Sequence, residues 1–90
     1  MHTVKVSKVY PLNEMWLGVL FCSGEFKKYD VSELINELPI FENLKDIGLF
    51  KSVKVDCGGH GVCWNADIDL SATELFENGV EWNDAPLQEN

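Results

Sequence analysis

An antiparallel α+β domain is what this sequence predicts, on three observations. From Thr3 to Tyr29 three strand-like segments follow one another across short turns. Two later stretches combine helical apolar spacing with capping signals. The strand segments are adjacent in sequence rather than separated by the long crossovers that parallel pairing needs. The expected sheet comes from an N-terminal three-stranded meander and a second hairpin, accompanied by two or three short helices. Residues 1–79 form the expected domain, and residues 80–90 an acidic C-terminal tail.

The first strand, Thr3 to Tyr10, sets Val4 and Val6 on one face against Lys5 and Ser7 on the other. Pro11 and Asn13 end it. Trp16 to Phe21 is apolar enough to be a central strand. Cys22-Ser23-Gly24 turns the chain, and Glu25 to Tyr29 returns it. Asp30 with Glu33 reads as a capping box, and Val31, Leu34, Ile35 and Leu38 recur at helical spacing until Pro39. Phe41, Leu44, Ile47 and Phe50 repeat about every three residues, which predicts a short second helix that loosens near Gly48. Ser52 to Cys57 and Val62 to Trp64 make the second hairpin around Gly58-Gly59-His60-Gly61. Ser71 with Glu74 caps a last helix through Leu75 and Phe76, closed by Asn78-Gly79. Beyond Gly79 the periodicity is lost.

Ninety residues suit one core, and a hydrophobic fraction of 46% is far from a disordered composition. Met15 to Cys22 is the longest nearly unbroken apolar run, short of the roughly 20 residues a bilayer demands, so no membrane association is expected. Cys22, Cys57 and Cys63 are too few for a secreted scaffold, and reduced thiols in a cytoplasmic protein are expected. Seven lysines and no arginine face fifteen acidic residues, a net charge of -8. Such a surface repels phosphate backbones, so no direct contact with nucleic acid is expected. The excess is lopsided: residues 46–90 hold two lysines and nine acids, and no lysine follows Lys54.

In chain order, Pro11-Leu12, Phe21 with Gly24, Phe41 with Leu44, Phe50, Val53-Lys54-Val55, Trp64, Ile68-Asp69-Leu70 and Leu75-Phe76 form a pattern spanning residues 3–79. In that order and spacing the chain resembles a small bacterial family known only as a domain of unknown function. The resemblance implies a stand-alone protein or one fused to a helix-turn-helix domain, sometimes encoded in toxin-antitoxin-like pairs. It implies no enzyme activity and no cofactor. No helix-turn-helix stretch is recognisable here, and the cysteines and His60 lie outside the pattern.

Each candidate for chemistry falls short on its own residues. Cys57, His60 and Cys63 offer three soft ligands where a structural zinc site needs four, so no metal is expected. The same residues as a thiol nucleophile and base lack an orienting group and an oxyanion site. Asp67-Ile-Asp69-Leu-Ser71 opens like a calcium loop but has Ala72 where glycine is needed and Asn78 where a bidentate glutamate is needed. Asp69 reads instead as a residue ordering the approach to the last helix. A non-catalytic interaction module follows, with a pocket-bearing enzyme or small-ligand binder as the alternative. The candidate protein-binding residues are Trp82, Asp69, Glu74, Glu77 and Glu81. They lie in an acidic, lysine-free stretch, residues 65–90, suited to a small basic partner encoded nearby. Trp82 is open to two readings: a partner-binding anchor, or a lid folded back on the sheet.

Overall fold

The computed structural model describes residues 3–86. Strand β1 (Val6–Pro11), β2 (Trp16–Phe21) and β3 (Phe26–Asp30) form the antiparallel meander, and β7 (Val80–Glu81) joins its far edge, giving the order β1-β2-β3-β7. A second antiparallel sheet has the order β4-β5-β6, from β4 (Lys54–Val55), β5 (Gly61–Asn65) and β6 (Ile68–Ser71). Helix α1 (Ser32–Glu37), a 3-10 segment (Pro39–Lys45) and helix α2 (Ile47–Phe50) connect the sheets, and α3 (Ala72–Asn78) leads from β6 back to β7. The class is α+β with an N-terminal meander.

Alternation along β2 sets the layers. Leu17, Val19 and Phe21 point inward and are at most 2% exposed. They meet Tyr29 of β3, Val31 and Ile35 around α1, Val62 and Trp64 of β5, Ile68 and Leu70 of β6, and Leu75 of α3 in one continuous core. Trp64 anchors the connection: its Nε1 donates to the Phe50 carbonyl at 3.1 Å, and its ring lies stacked on Phe50 and edge-on to Phe41. An indole buried this way needs such a partner.

Several elements differ from the sequence expectation, each for a local reason. The register slips between Val6 and Lys8, so Ser7 is an extra residue that reverses the parity of β1. Val4 and Val6 therefore face the core together with Val9, which strict alternation would turn away. The helix after Asp30 forms, but without its capping box. The Asp30 carboxylate accepts from the Ser32 amide and hydroxyl, buried Val31 takes the cap position, and Glu33 is exposed. The three-residue apolar repeat is a true 3-10 segment that buries Phe41 and Leu44. Asp46 then caps α2 through the Gly48 and Leu49 amides, resets the phase, and leaves Ile47 53% exposed.

Two strands are additions. Asn65 accepts from the Asp67 and Ile68 amides, a side-chain-built turn that starts β6 and buries Ile68 and Leu70. The chain also does not leave the fold at Gly79: β7 pairs with Lys27 and Lys28 of β3. A strand this short leaves no periodicity to read, which is why the stretch from residue 80 resembles a tail.

The β1–β2 turn is strained. Glu14 and Met15 both hold positive φ, at 60° and 67°, a region costing about 1–2 kcal/mol for residues with a Cβ. Glycine escapes that cost but loses more entropy on folding. Glu14→Gly is therefore expected to stabilise the fold by up to about 1 kcal/mol, or about 4–8 °C in melting temperature. Glu14→Val, β-branched, should lower it. Thermal melts of the two variants check the sign; equal melting temperatures would mean the turn relaxes at no cost.

Candidate functional site

The outward positions of the four-stranded sheet are unlike those of a solvent-facing antiparallel sheet, which are mostly polar. Registers place Lys8 beside Leu20 and Phe26, and Tyr10 beside Gly18, Lys28 and Val80. Trp16 and Asp30 form the next row. Trp82 follows β7 and folds over this face: its ring lies 5.6 Å from Tyr10 and 5.8 Å from Phe26, centroid to centroid, tilted on one and edge-on to the other. Tyr10, Trp16, Phe26 and Trp82 are all half-buried, and Val80 is 49% exposed.

Gly18 makes this possible. A Cβ there would sit 2.4 Å from the Trp82 ring, closer than side-chain atoms approach. The bare backbone is the seat of the indole, and Trp82 in turn ties β7 across β3 and β2 to β1. Lys28 places its ammonium 4.8 Å above the Trp16 ring, a cation–π contact at the margin of the same face. At the β7 flank, Glu25 and Glu81 border an open hollow of about 500 Å³ beside Phe26 and Trp82.

Between α1 and α3 lies a groove of about 400 Å³, lined by Tyr29, Asp30, Glu33, Glu37 and Glu74 and bordered by Trp16 and Val80 of the outer face. Tyr29 donates its hydroxyl to Glu74 Oε2 at 2.8 Å. Ser71 caps α3 by accepting from the Glu74 amide, but the Glu74 side chain turns to Tyr29 instead of completing a capping box. Burial, that hydrogen bond, and the charges of Glu74, Glu33 and Glu37 push the Tyr29 phenol well above its ordinary range.

The five residues singled out from the sequence do not form one site. Trp82 and Glu81 adjoin on the outer face and its flank. Glu74 lies in the groove between α1 and α3, Glu77 is exposed on α3, and Asp69 is exposed on β6 opposite Cys63. Ser71 supplies the cap of α3, as its position before the helix predicts. Tyr10, Phe26 and Gly18 escaped the sequence reading; strict alternation from Val4 and Val6 turns Tyr10 inward, and only the extra residue at Ser7 sends it outward beside Gly18. Cys22 and Cys57 are exposed and Cys63 half-buried, all as free thiols. Among the described residues no group of three or more His, Cys, Asp or Glu side chains is placed to hold a metal ion. The glycine-rich turn has a packing role: Gly59, at φ 75°, brings its backbone so near the Val6 carbonyl that a Cβ would lie 2.7 Å from it. No described helix is long and apolar enough to cross a membrane.

A conserved-family pattern described as a protein of unknown function, DUF2442, matches residues 6–83. The chain belongs to that family. No curated protein matches it. Among solved structures, the DUF2442 chain is similar to one named a putative DNA binding protein, from Nitrosomonas europaea ATCC 19718, with a TM-score of 0.63 and 22% identity. The likeness covers 70% of this chain and 41% of that one, so the chain spans less than half the length of that neighbour. This is a likeness of fold. It nevertheless overturns the expectation of no direct nucleic-acid contact: a DNA-binding name goes with a protein of the same fold, so net charge alone does not decide the partner class.

Two expected outcomes follow from the geometry. Gly18→Ala and Trp82→Ala should be strongly non-additive, because the alanine methyl displaces the ring that the second change removes. Gly18→Ala alone should cost about 1–3 kcal/mol, and little once Trp82 is absent. Additivity within about 0.5 kcal/mol in urea titrations would disprove the seat. For Tyr29, the folded-state pKa lies above the unfolded one, so its contribution is intact below about pH 10 and lost above it, by up to about 1.4 kcal/mol per pH unit. Tyr29→Phe should cost about 1–2 kcal/mol at neutral pH and flatten the alkaline loss of stability. Unfolding curves at stepped pH check both; parallel pH profiles would show that the phenol is not held neutral.

Proposed function

We propose that this domain is a non-catalytic protein-interaction module whose docking surface is the outer face of the four-stranded sheet. The observation that carries the reading is the row of half-buried rings, Tyr10, Trp16, Phe26 and Trp82, on a face that water-exposed sheets fill with polar residues. Tyrosine and tryptophan dominate interface hot spots, since each covers a large area while losing few rotamers. Lys8 and Lys28 flank β2 on this face, and Glu25 and Glu81 border the hollow beside Phe26 and Trp82. Nothing in the fold or the comparisons supports a toxin-antitoxin role, and the proposal stops at docking. The name of the Nitrosomonas neighbour supports a setting in DNA-associated proteins, where a module of this kind joins chains together.

A photo-crosslinking residue at Tyr10 tests this, with one at exposed Ile47 as the comparison. Protein adducts of discrete mass are expected from position 10 in living cells, and not from position 47. Their absence from position 10, or nucleic acid as the only adduct, would overturn the reading.

A further inference from the structure

We infer that Trp82 stands in for a partner: residues 79–82 form a strap that seats an indole on the docking face, and the face is entered by an extended segment of another protein that displaces the strap and sets an aromatic side chain of its own on Gly18. The inference rests on the docking reading above and adds the chemistry of the contact. What points to a strap is that the four rings are not held alike. Tyr10 belongs to β1, Trp16 to β2 and Phe26 to β3, and five residue pairs join β2 to the strand on each side of it. Trp82 lies beyond β7, which is joined to β3 by two pairs, Lys27 with Glu81 and Lys28 with Val80. The side-chain bonds that fasten α3 to the meander, from Lys27 to the Phe76 carbonyl and from Tyr29 to Glu74, both fall before Gly79. Past them Val80 is 49% exposed and Trp82 half-buried.

Gly79 is the hinge. Its amide donates to the Leu75 carbonyl at 3.0 Å and completes α3, so the helix is finished before the strap begins. A segment with so few buried contacts opens at lower free energy than the sheet it leaves. Opening uncovers two things at once. One is the seat, bare backbone at Gly18 walled by Tyr10 and Phe26, whose ring centroids lie 5.6 Å and 5.8 Å from the indole that fills it. The other is the edge of β3 at Lys27 and Lys28.

The strap defines its replacement. It shows that this face accepts a strand along β3 followed directly by a ring on Gly18. A partner segment of the same form gains main-chain pairing for affinity and a shaped seat for specificity, the two parts of recognition by strand addition. Such a contact is local and does not need the whole sheet face. The closed strap competes with it: a strap open in about 1% of molecules weakens docking about a hundredfold relative to an open chain.

Two measurements on the full chain test this. In the wild type, amides paired between β3 and β7 are expected to exchange with solvent at least about tenfold faster than those paired between β2 and β3. In cells, with the photo-crosslinking residue at position 10, Trp82→Ala should raise the yield of protein adducts about threefold or more by emptying the seat. Gly18→Ala should lower the yield below that of the wild type, because its methyl group fills the seat against any ring. Circular dichroism of each variant confirms folding, and the exchange measurement stands without any substitution. Exchange as slow as in the rest of the sheet, a yield unchanged or lowered by Trp82→Ala, or a yield raised by Gly18→Ala overturns the strap. The docking reading survives those results wherever position 10 gives protein adducts in any of the three chains; if none gives them, both readings fall.

Discussion

Strand β2 is apolar on both of its faces, and most of the architecture answers that one constraint. Leu17, Val19 and Phe21 require a covering on the inward side, supplied by the second sheet together with α1 and α3. Trp16, Gly18 and Leu20 require one on the outward side, where a small domain has no second layer of helices to spend. The chain meets this demand with an indole from beyond β7 seated on Gly18 and with the Lys28 ammonium over Trp16, and Leu20 is only 6% exposed. A side chain at position 18 would leave no seat for that ring.

The inward layer is held by a few specific contacts spread along the chain. The Trp64 indole bonds to the carbonyl of Phe50, the Tyr29 hydroxyl to Glu74, and the Lys27 ammonium to the Phe76 carbonyl while lying 4.2 Å over the Phe76 ring. The second hairpin is set against β1 through the close approach of Gly59 to Val6. Polar groups are thus used where elements join. The apolar positions supply the bulk of the stabilisation, as expected when burial of area is the main favourable term.

Charge is divided in a way the totals conceal. The groove between α1 and α3 collects Asp30, Glu33, Glu37 and Glu74, whereas the outward face has Lys8 and Lys28 among its rings. A net charge of -8 therefore describes the molecule but not the surface on which docking is proposed. The same point explains why the lysine-free stretch, residues 65–90, suggests a basic partner, and why, among the described residues, that stretch contributes Trp82 and Val80 to the face and Glu81 to its flank.

The class, the meander and the limits of the first and last helices are legible in the sequence, because period-2 alternation, the Ser71 cap and the stop at Pro39 are local signals that packing had no reason to override, whereas the break at Asp46 is not. The sequence also placed the turn at Gly58-Gly59 and marked Trp82 as unusual. What it left open were the contacts made across the chain. Only the tertiary structure decided that Glu74 serves Tyr29 instead of its own helix, that an extra residue at Ser7 turns Val9 inward, and that Val80–Glu81 is a strand. It alone decided that Trp82 lies on Gly18, sixty-four positions earlier in the chain. The physical reason is that pattern reports which face a residue occupies along its own element, whereas pairing, seats and hydrogen-bond exchange depend on which distant element arrives there.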